Sequence, residues 1–121
     1  MIGIDTGFIY ALWENDPQAV RVFRESDIAV SVLNLFELRR IALRRNLPWK
    51  DLSAPLLSIA AVAEITREVA DRASFISYGT GLPAIDALII ASLQALGCRK
   101  IYSRDEHFRK YSSKDVEIVI A

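Results

Sequence analysis

Short apolar runs without alternation punctuate the chain, and each is followed by a longer stretch of helical periodicity or of turn residues. Met1-Ile2-Gly3-Ile4 runs straight into Asp5; an uninterrupted run of this kind reads as a strand buried on both faces, as in a parallel sheet covered by helices. Ile28 to Ser31, Lys100 to Ser103 and Val116 to Ile120 read the same way. Between them, Thr6 to Trp13 is a short helix, apolar on nearly all sides, that Asp5 or Thr6 can cap. Asp16-Pro17 opens a second helix, carried to about Ser26 by Ala19, Val20, Val22 and Phe23. Val32 to Arg45 has a stripe of Leu35, Leu38, Ile41 and Ala42 and is ended by Asn46-Leu47-Pro48. Trp49 to Gly79 is mostly helical, with Thr66 opening its second helix; periodicity does not settle whether Ile59 to Ile65 holds a short strand. Gly79 and Gly81 bracket Thr80 in a predicted loop. Pro83 to Gly97 is the most apolar helix of all. Strand-helix-strand order with crossovers of more than about ten residues means parallel pairing. The expected fold is α/β, three layers, with a central parallel sheet of four or five strands.

Composition narrows this picture. The 121 residues suit one domain, 1–121, with one site. Hydrophobic residues make up 52% of the chain, while 15 basic and 15 acidic side chains cancel, so any attraction to nucleic acid must come from local clustering. A lone cysteine, Cys98, is expected as a small buried apolar residue in a reducing compartment, and with a single histidine it excludes a Cys/His zinc cage. No apolar run approaches the roughly 18 residues of a membrane span. Asp5 stands where a signal peptide would be basic and then apolar, so a soluble cytoplasmic protein is expected.

Four acids stand out by position. Asp5 and Asp105 end strands, whereas Glu37 and Asp86 lie in early turns of helices that start at the same sheet edge. Each has a plainer reading: Asp5 and Asp105 as caps, Glu37 as an exposed acid paired with Arg40, and Asp86 as a complement to its helix dipole. Four carboxylates in one cleft repel, and a divalent cation among them resolves the conflict. Oxygen donors favour Mg²⁺ or Mn²⁺ over zinc, and such ions serve phosphodiester hydrolysis. Arg39, Arg40, Arg44 and Arg45, with Arg104 beside Asp105, are candidate phosphate contacts, of which Arg40, Arg44 and Arg104 are the ones to test. Their plainer reading is a solvated helix face. His107, beside two acids on a surface turn, is given no role.

Ile4-Asp5-Thr6, Ser31 with Phe36-Glu37-Leu38, Ala84-Ile85-Asp86-Ala87-Leu88-Ile89-Ile90-Ala91 and Ser103-Arg104-Asp105-Glu106-His107-Phe108 resemble, in order and over the whole chain, the four motifs of the PIN domain. The closest likeness is to the small VapC-like toxins of toxin–antitoxin pairs. The resemblance implies a Mg²⁺- or Mn²⁺-dependent ribonuclease, a homodimer, and an antitoxin partner that blocks the acidic cleft. It makes Asp5, Glu37, Asp86 and Asp105 metal ligands or water-ordering groups and Thr6 and Ser103 supporting hydroxyls. Ser103 departs from the more usual threonine but keeps the hydroxyl. The alternatives are a non-catalytic PIN-like module that binds RNA or protein, and a housekeeping RNA-processing nuclease. Asp5-Thr6-Gly7 matches the aspartic-protease triplet, but that chemistry needs an all-β dimer. A receiver domain fits the length, yet here the first strand ends in a single acid and only Ala121 follows the last strand. Phe8, Tyr10, Leu12 and Trp13 together exceed the needs of one core face and are candidates, with the Asp86 helix, for an oligomer or antitoxin surface, although each taken singly reads first as core packing.

Overall fold

The computed structural model describes residues 1–121. Its elements in chain order are β1 (Ile2–Ile4), α1 (Thr6–Trp13), α2 (Pro17–Glu25), β2 (Ile28–Ser31), α3 (Val32–Arg45), α4 (Trp49–Ile59), β3 (Ala61–Ala63), α5 (Arg67–Thr80), α6 (Ala84–Leu96), β4 (Lys100–Ser103), a 3₁₀ turn (Glu106–Lys110) and β5 (Glu117–Ile120). All strand pairs are parallel, in the order β3-β2-β1-β4-β5. Alternate residues of β2 sort the chain into layers. Ile28 and Val30 face a core with Phe8, Ile9, Ala19, Leu38 and Leu56, whereas Ala29 faces one with Val69, Ala73, Ile90 and Leu93. Helices therefore cover both faces, the three-layer α/β/α arrangement that the apolar strand runs predict.

Topology places the site. From β1 the chain steps outward to β2 and β3, then crosses back over the sheet through α5 and α6 to β4 on the far side of β1. The connections thus diverge at the carboxyl ends of β1 and β4, the switch point where open α/β sheets hold ligands. In register, Ile4 pairs with Tyr102, so Asp5 and Ser103 come next to one another by strand pairing alone. Gly3 lets α6 close on β1: a Cβ there would lie 2.8 Å from Leu93 Cδ1 and 3.2 Å from Ile101 Cγ1. The close approach settles α6, and with it Asp86, against the central strand.

One open question is settled and two expectations need correction. A fifth strand does exist at Ala61–Ala63, on the edge of the sheet beyond β2. Gly79 and Thr80 are not a loop: α5 runs through them and is closed by Gly81 in the left-handed region, φ 76°. The aromatic excess of α1 is largely absorbed inside the molecule. Phe8 is buried, its ring 5.2 Å from that of Tyr102, while Tyr10, Trp13 and Trp49 pack in a row. The large apolar side chains that do face solvent include Phe36 and Leu43 on α3 and Phe75 and Tyr78 on α5. Cys98 is buried as expected, and burial pushes its thiol up to about 11. No helix is long and apolar enough to cross a membrane.

Candidate active site

Asp5 follows β1 and opens α1, yet its side chain makes no capping bond to that helix. It turns into the protein, where Asn34 Nδ2 donates to Oδ1 at 3.3 Å and Ser103 Oγ donates to Oδ2 at 2.9 Å. The capping reading of Asp5 fails for that reason. Thr6 sits one residue on and donates its hydroxyl to Glu37 Oε1 at 2.5 Å, so Glu37 is engaged across the sheet edge and not with Arg40. Asp86 lies in the first turn of α6, where it complements the dipole, but has neither a hydrogen bond nor an ion pair of its own. Asp105 does cap the 3₁₀ turn: its Oδ1 accepts from the His107 backbone N–H, and His107 Nδ1 is 2.8 Å from the same oxygen. Ser103 Oγ in turn accepts from the Asp105 backbone N–H, which ties the end of β4 to the turn that follows.

Asp5, Thr6, Gly7, Glu37, Asp86, Arg104 and Asp105 line one cleft of about 250 Å³ with no apolar side chain in its wall. All four acids singled out in the sequence meet there, as does Arg104, whose guanidinium is held 3.1 Å from Asp16 Oδ1. Arg40 and Arg44 are exposed on α3 and do not line it; the Arg40 guanidinium lies over the Phe36 ring, and Arg39 and Arg45 stack on Trp49 and Tyr10. A larger groove, of about 1020 Å³, lies between α5 and α6, but its charges are mixed and spread. The small polar cleft is the chemically organised one.

Electrostatics set the cleft apart. Burial raises the Asp5 carboxyl from 3.8 to about 6; the Thr6 backbone N–H and Ser103 oppose this, and the charges of Glu37 and Asp86 add to it. Asp86 is likewise raised from 3.8 to about 6, by burial first, then by Asp105 and Glu37, with His107 opposing. Two acids pushed up together in one cleft mark a site short of positive charge. Ligand atoms of Asp86, Asp105 and His107 lie within 4.8 Å of one another, close enough to share one ion. Hard oxygen donors with a single nitrogen suit Mg²⁺ or Mn²⁺.

Besides His107, given no role from the sequence yet brought beside Asp86 and Asp105, sequence reasoning missed two residues. Asn34, fully buried, is the third residue of α3 and carries both Asp5 and Thr6, Nδ2 donating to Thr6 Oγ1 at 2.9 Å. The signal was there, a serine three residues before a lone amide in Ser31-Val32-Leu33-Asn34-Leu35, but that spacing reads first as a capping box. Asp16 was read only as the cap of α2, which it is through Ala19 N–H, and its hold on Arg104 had no signature.

This fold and cleft define a class, parallel α/β proteins with a carboxylate cluster at the switch point. The model of the PIN domain matches residues 2–114, and the chain belongs to that family. No curated protein matches it in sequence. Among solved structures it is similar to a toxin–antitoxin complex from Klebsiella pneumoniae, with TM-score 0.76 and 19% identity over 89% of this chain and 90% of that one. It is also similar to VapBC2 from Rickettsia felis bound to a DNA fragment from its promoter, with TM-score 0.77 and 14% identity over 100% and 99%. A third is VapC20 from Mycobacterium tuberculosis, described as a sarcin-ricin loop cleaving toxin, with TM-score 0.73 and 20% identity over 97% and 99%. At such identities the likeness is one of fold.

Proposed function

We propose that this chain is a divalent-metal-dependent endoribonuclease, the toxin of a toxin–antitoxin pair. The observation that carries the reading is the convergence of Asp5, Glu37, Asp86 and Asp105 on one cleft without apolar lining. The donor set fits Mg²⁺ or Mn²⁺, since two of its acids are held above their ordinary range and a nearby cation would bring them down. Asp5, Asp86 and Asp105 are the residues to hold the ion, with Glu37 as a further ligand or the group that orders the attacking water. A bound ion of this kind supplies Lewis-acid polarisation of a phosphodiester and a nucleophile at neutral pH.

The chain's own groups do the rest. Ser103 and Asn34 fix the plane of Asp5, and Thr6 fixes Glu37, both in the cleft wall. Glu37, aimed by Thr6, is placed to accept a proton from water. Arg104 offers a guanidinium to the phosphate, and Asp16 keeps it at the rim. Family membership and the toxins among the similar folds favour an RNA substrate and an antitoxin partner over a non-catalytic module, which has no use for four carboxylates in one cleft. Exposed Phe36, Leu43, Phe75 and Tyr78 favour a homodimer.

The test is cleavage of single-stranded RNA by the purified chain. Activity should appear with Mg²⁺ or Mn²⁺ and vanish with EDTA. Cutting that survives chelation overturns the mechanism, and RNA binding without cutting in either metal moves the chain to the non-catalytic reading.

A further inference from the structure

We propose that Asn34 is a positioning residue that orients both inner carboxylates, Asp5 directly and Glu37 through Thr6. The inference rests on the nuclease reading above. Asn34 is fully buried, and its amide has one orientation available. Ser31 N–H donates to Oδ1 at 2.8 Å, which fixes the oxygen toward the start of α3 and turns Nδ2 toward the cleft. There Nδ2 donates to Asp5 Oδ1 at 3.3 Å and to Thr6 Oγ1 at 2.9 Å. Because the Thr6 oxygen is already an acceptor, its own hydrogen is free for Glu37 Oε1, the 2.5 Å contact. The chain of donors therefore runs one way, from the Ser31 backbone through Asn34 and Thr6 to Glu37.

A capping residue would need only the first of these bonds. Asn34 makes that bond with its oxygen and spends both amide hydrogens on residues that line the cleft. Groups that orient the residues holding a metal change its affinity by roughly 10- to 100-fold when removed.

The experiment compares Asn34→Ala with Ser31→Ala in the full chain. Ser31→Ala loosens the same helix start, since Ser31 Oγ accepts from Leu33 N–H and from Ser92 Oγ, but leaves Asp5 and Thr6 untouched. Mn²⁺ affinity is read by calorimetry on the metal-free protein, with kcat and KM on RNA and the Tm alongside. Asn34→Ala should weaken Mn²⁺ at least about 10-fold and lower kcat with little change in KM, while Ser31→Ala lowers Tm and keeps wild-type Mn²⁺ affinity. If Asn34→Ala does not fold, Asn34→Ser takes its place. Thr6→Val, at a half-buried position, gives an independent arm that breaks the same relay and should also weaken Mn²⁺. An Asn34 variant that loses Tm yet binds Mn²⁺ and turns over like wild type overturns the proposal and leaves the nuclease reading standing. Wild-type protein that binds no Mn²⁺ and cuts no RNA overturns both.

Discussion

Asp5 is the residue on which burial and charge conflict most directly. It is 5% exposed and its carboxyl is held at about 6 by burial, against 3.8 ordinarily. Between those values the folded chain keeps a proton that the unfolded chain has released, so this group costs stability as pH rises from about 4 to about 6, and the full cost is present above. Two pKa units correspond to roughly 3 kcal/mol. Asp5→Asn removes the conflict and can keep its partners, the amide oxygen toward Asn34 and the amide nitrogen toward a rotated Ser103 hydroxyl. Metal-free Asp5→Asn should therefore melt above wild type at pH 7.5, with the difference shrinking as pH falls from 6 to 4. Melting curves across that range check it, and a constant difference would show that Asp5 ionises normally. The same variant should lose metal affinity and cut RNA slower by orders of magnitude, since the cleft loses a charged ligand. In wild type, Mn²⁺ binding should weaken below about pH 6, where Asp5 and Asp86 take up protons.

Elements show the same chemistry meeting different surroundings, and two glycines make the contrast measurable. Gly3 on β1 has Leu93 Cδ1 2.8 Å from where a Cβ would be, and Leu93 is itself fully buried, so Gly3→Ala should cost about 1–3 kcal/mol by overpacking. Gly79 lies inside α5 with open space around it, so Gly79→Ala should gain about 0.5–1 kcal/mol from helix propensity. Denaturant unfolding of the two variants should move in opposite directions. These positions also explain how far the sequence could be read. The strands that lead to Asp5 and Asp105 were legible because buried parallel strands leave largely apolar runs, and α6 was legible from Pro83 and Gly97. Gly79 misled because a glycine costs a helix only about 1 kcal/mol, which the buried Val69, Ala73 and Ile76 of α5 override. The strand Ala61–Ala63 stayed open because three small residues at a sheet edge carry no β-branched run. Phe8 stayed ambiguous between core and surface for a different reason. Its partner, Tyr102, is ninety-four positions away, and nothing local announces that pairing.

For the molecule as a whole, zero net charge means that attraction to RNA must come from placed cations and not from a general field. Arg104 is the cation in the cleft wall, so Arg104→Ala should raise KM for RNA several-fold and flatten its salt dependence; an unchanged KM would remove Arg104 from the phosphate contacts. Assembly depends on the opposite kind of surface. The face predicted from α1 turned largely inward, the Asp86 helix keeps Ile85 and Leu96 exposed, and the most exposed large apolar side chains lie on α3 and α5, where Phe36 is 50%, Leu43 65%, Phe75 70% and Tyr78 94% exposed. Phe36 and Leu43 are two helical turns apart and Phe75 and Tyr78 one turn apart, so each pair forms a stripe on its own helix. Side chains of this size left in water favour association, and two stripes per chain suit a self-complementary twofold contact. Light scattering at micromolar concentration should therefore give twice the chain mass of 13.6 kDa. Substituting Phe75→Asp with Tyr78→Asp, or Phe36→Asp with Leu43→Asp, places charge where the contact is dry. Whichever pair lies at the centre should yield monomers with little change in Tm in dilute solution, because these side chains lie outside the two buried core clusters. If wild type is already a monomer, the homodimer is excluded, and the same two double variants should then be tested for loss of antitoxin binding.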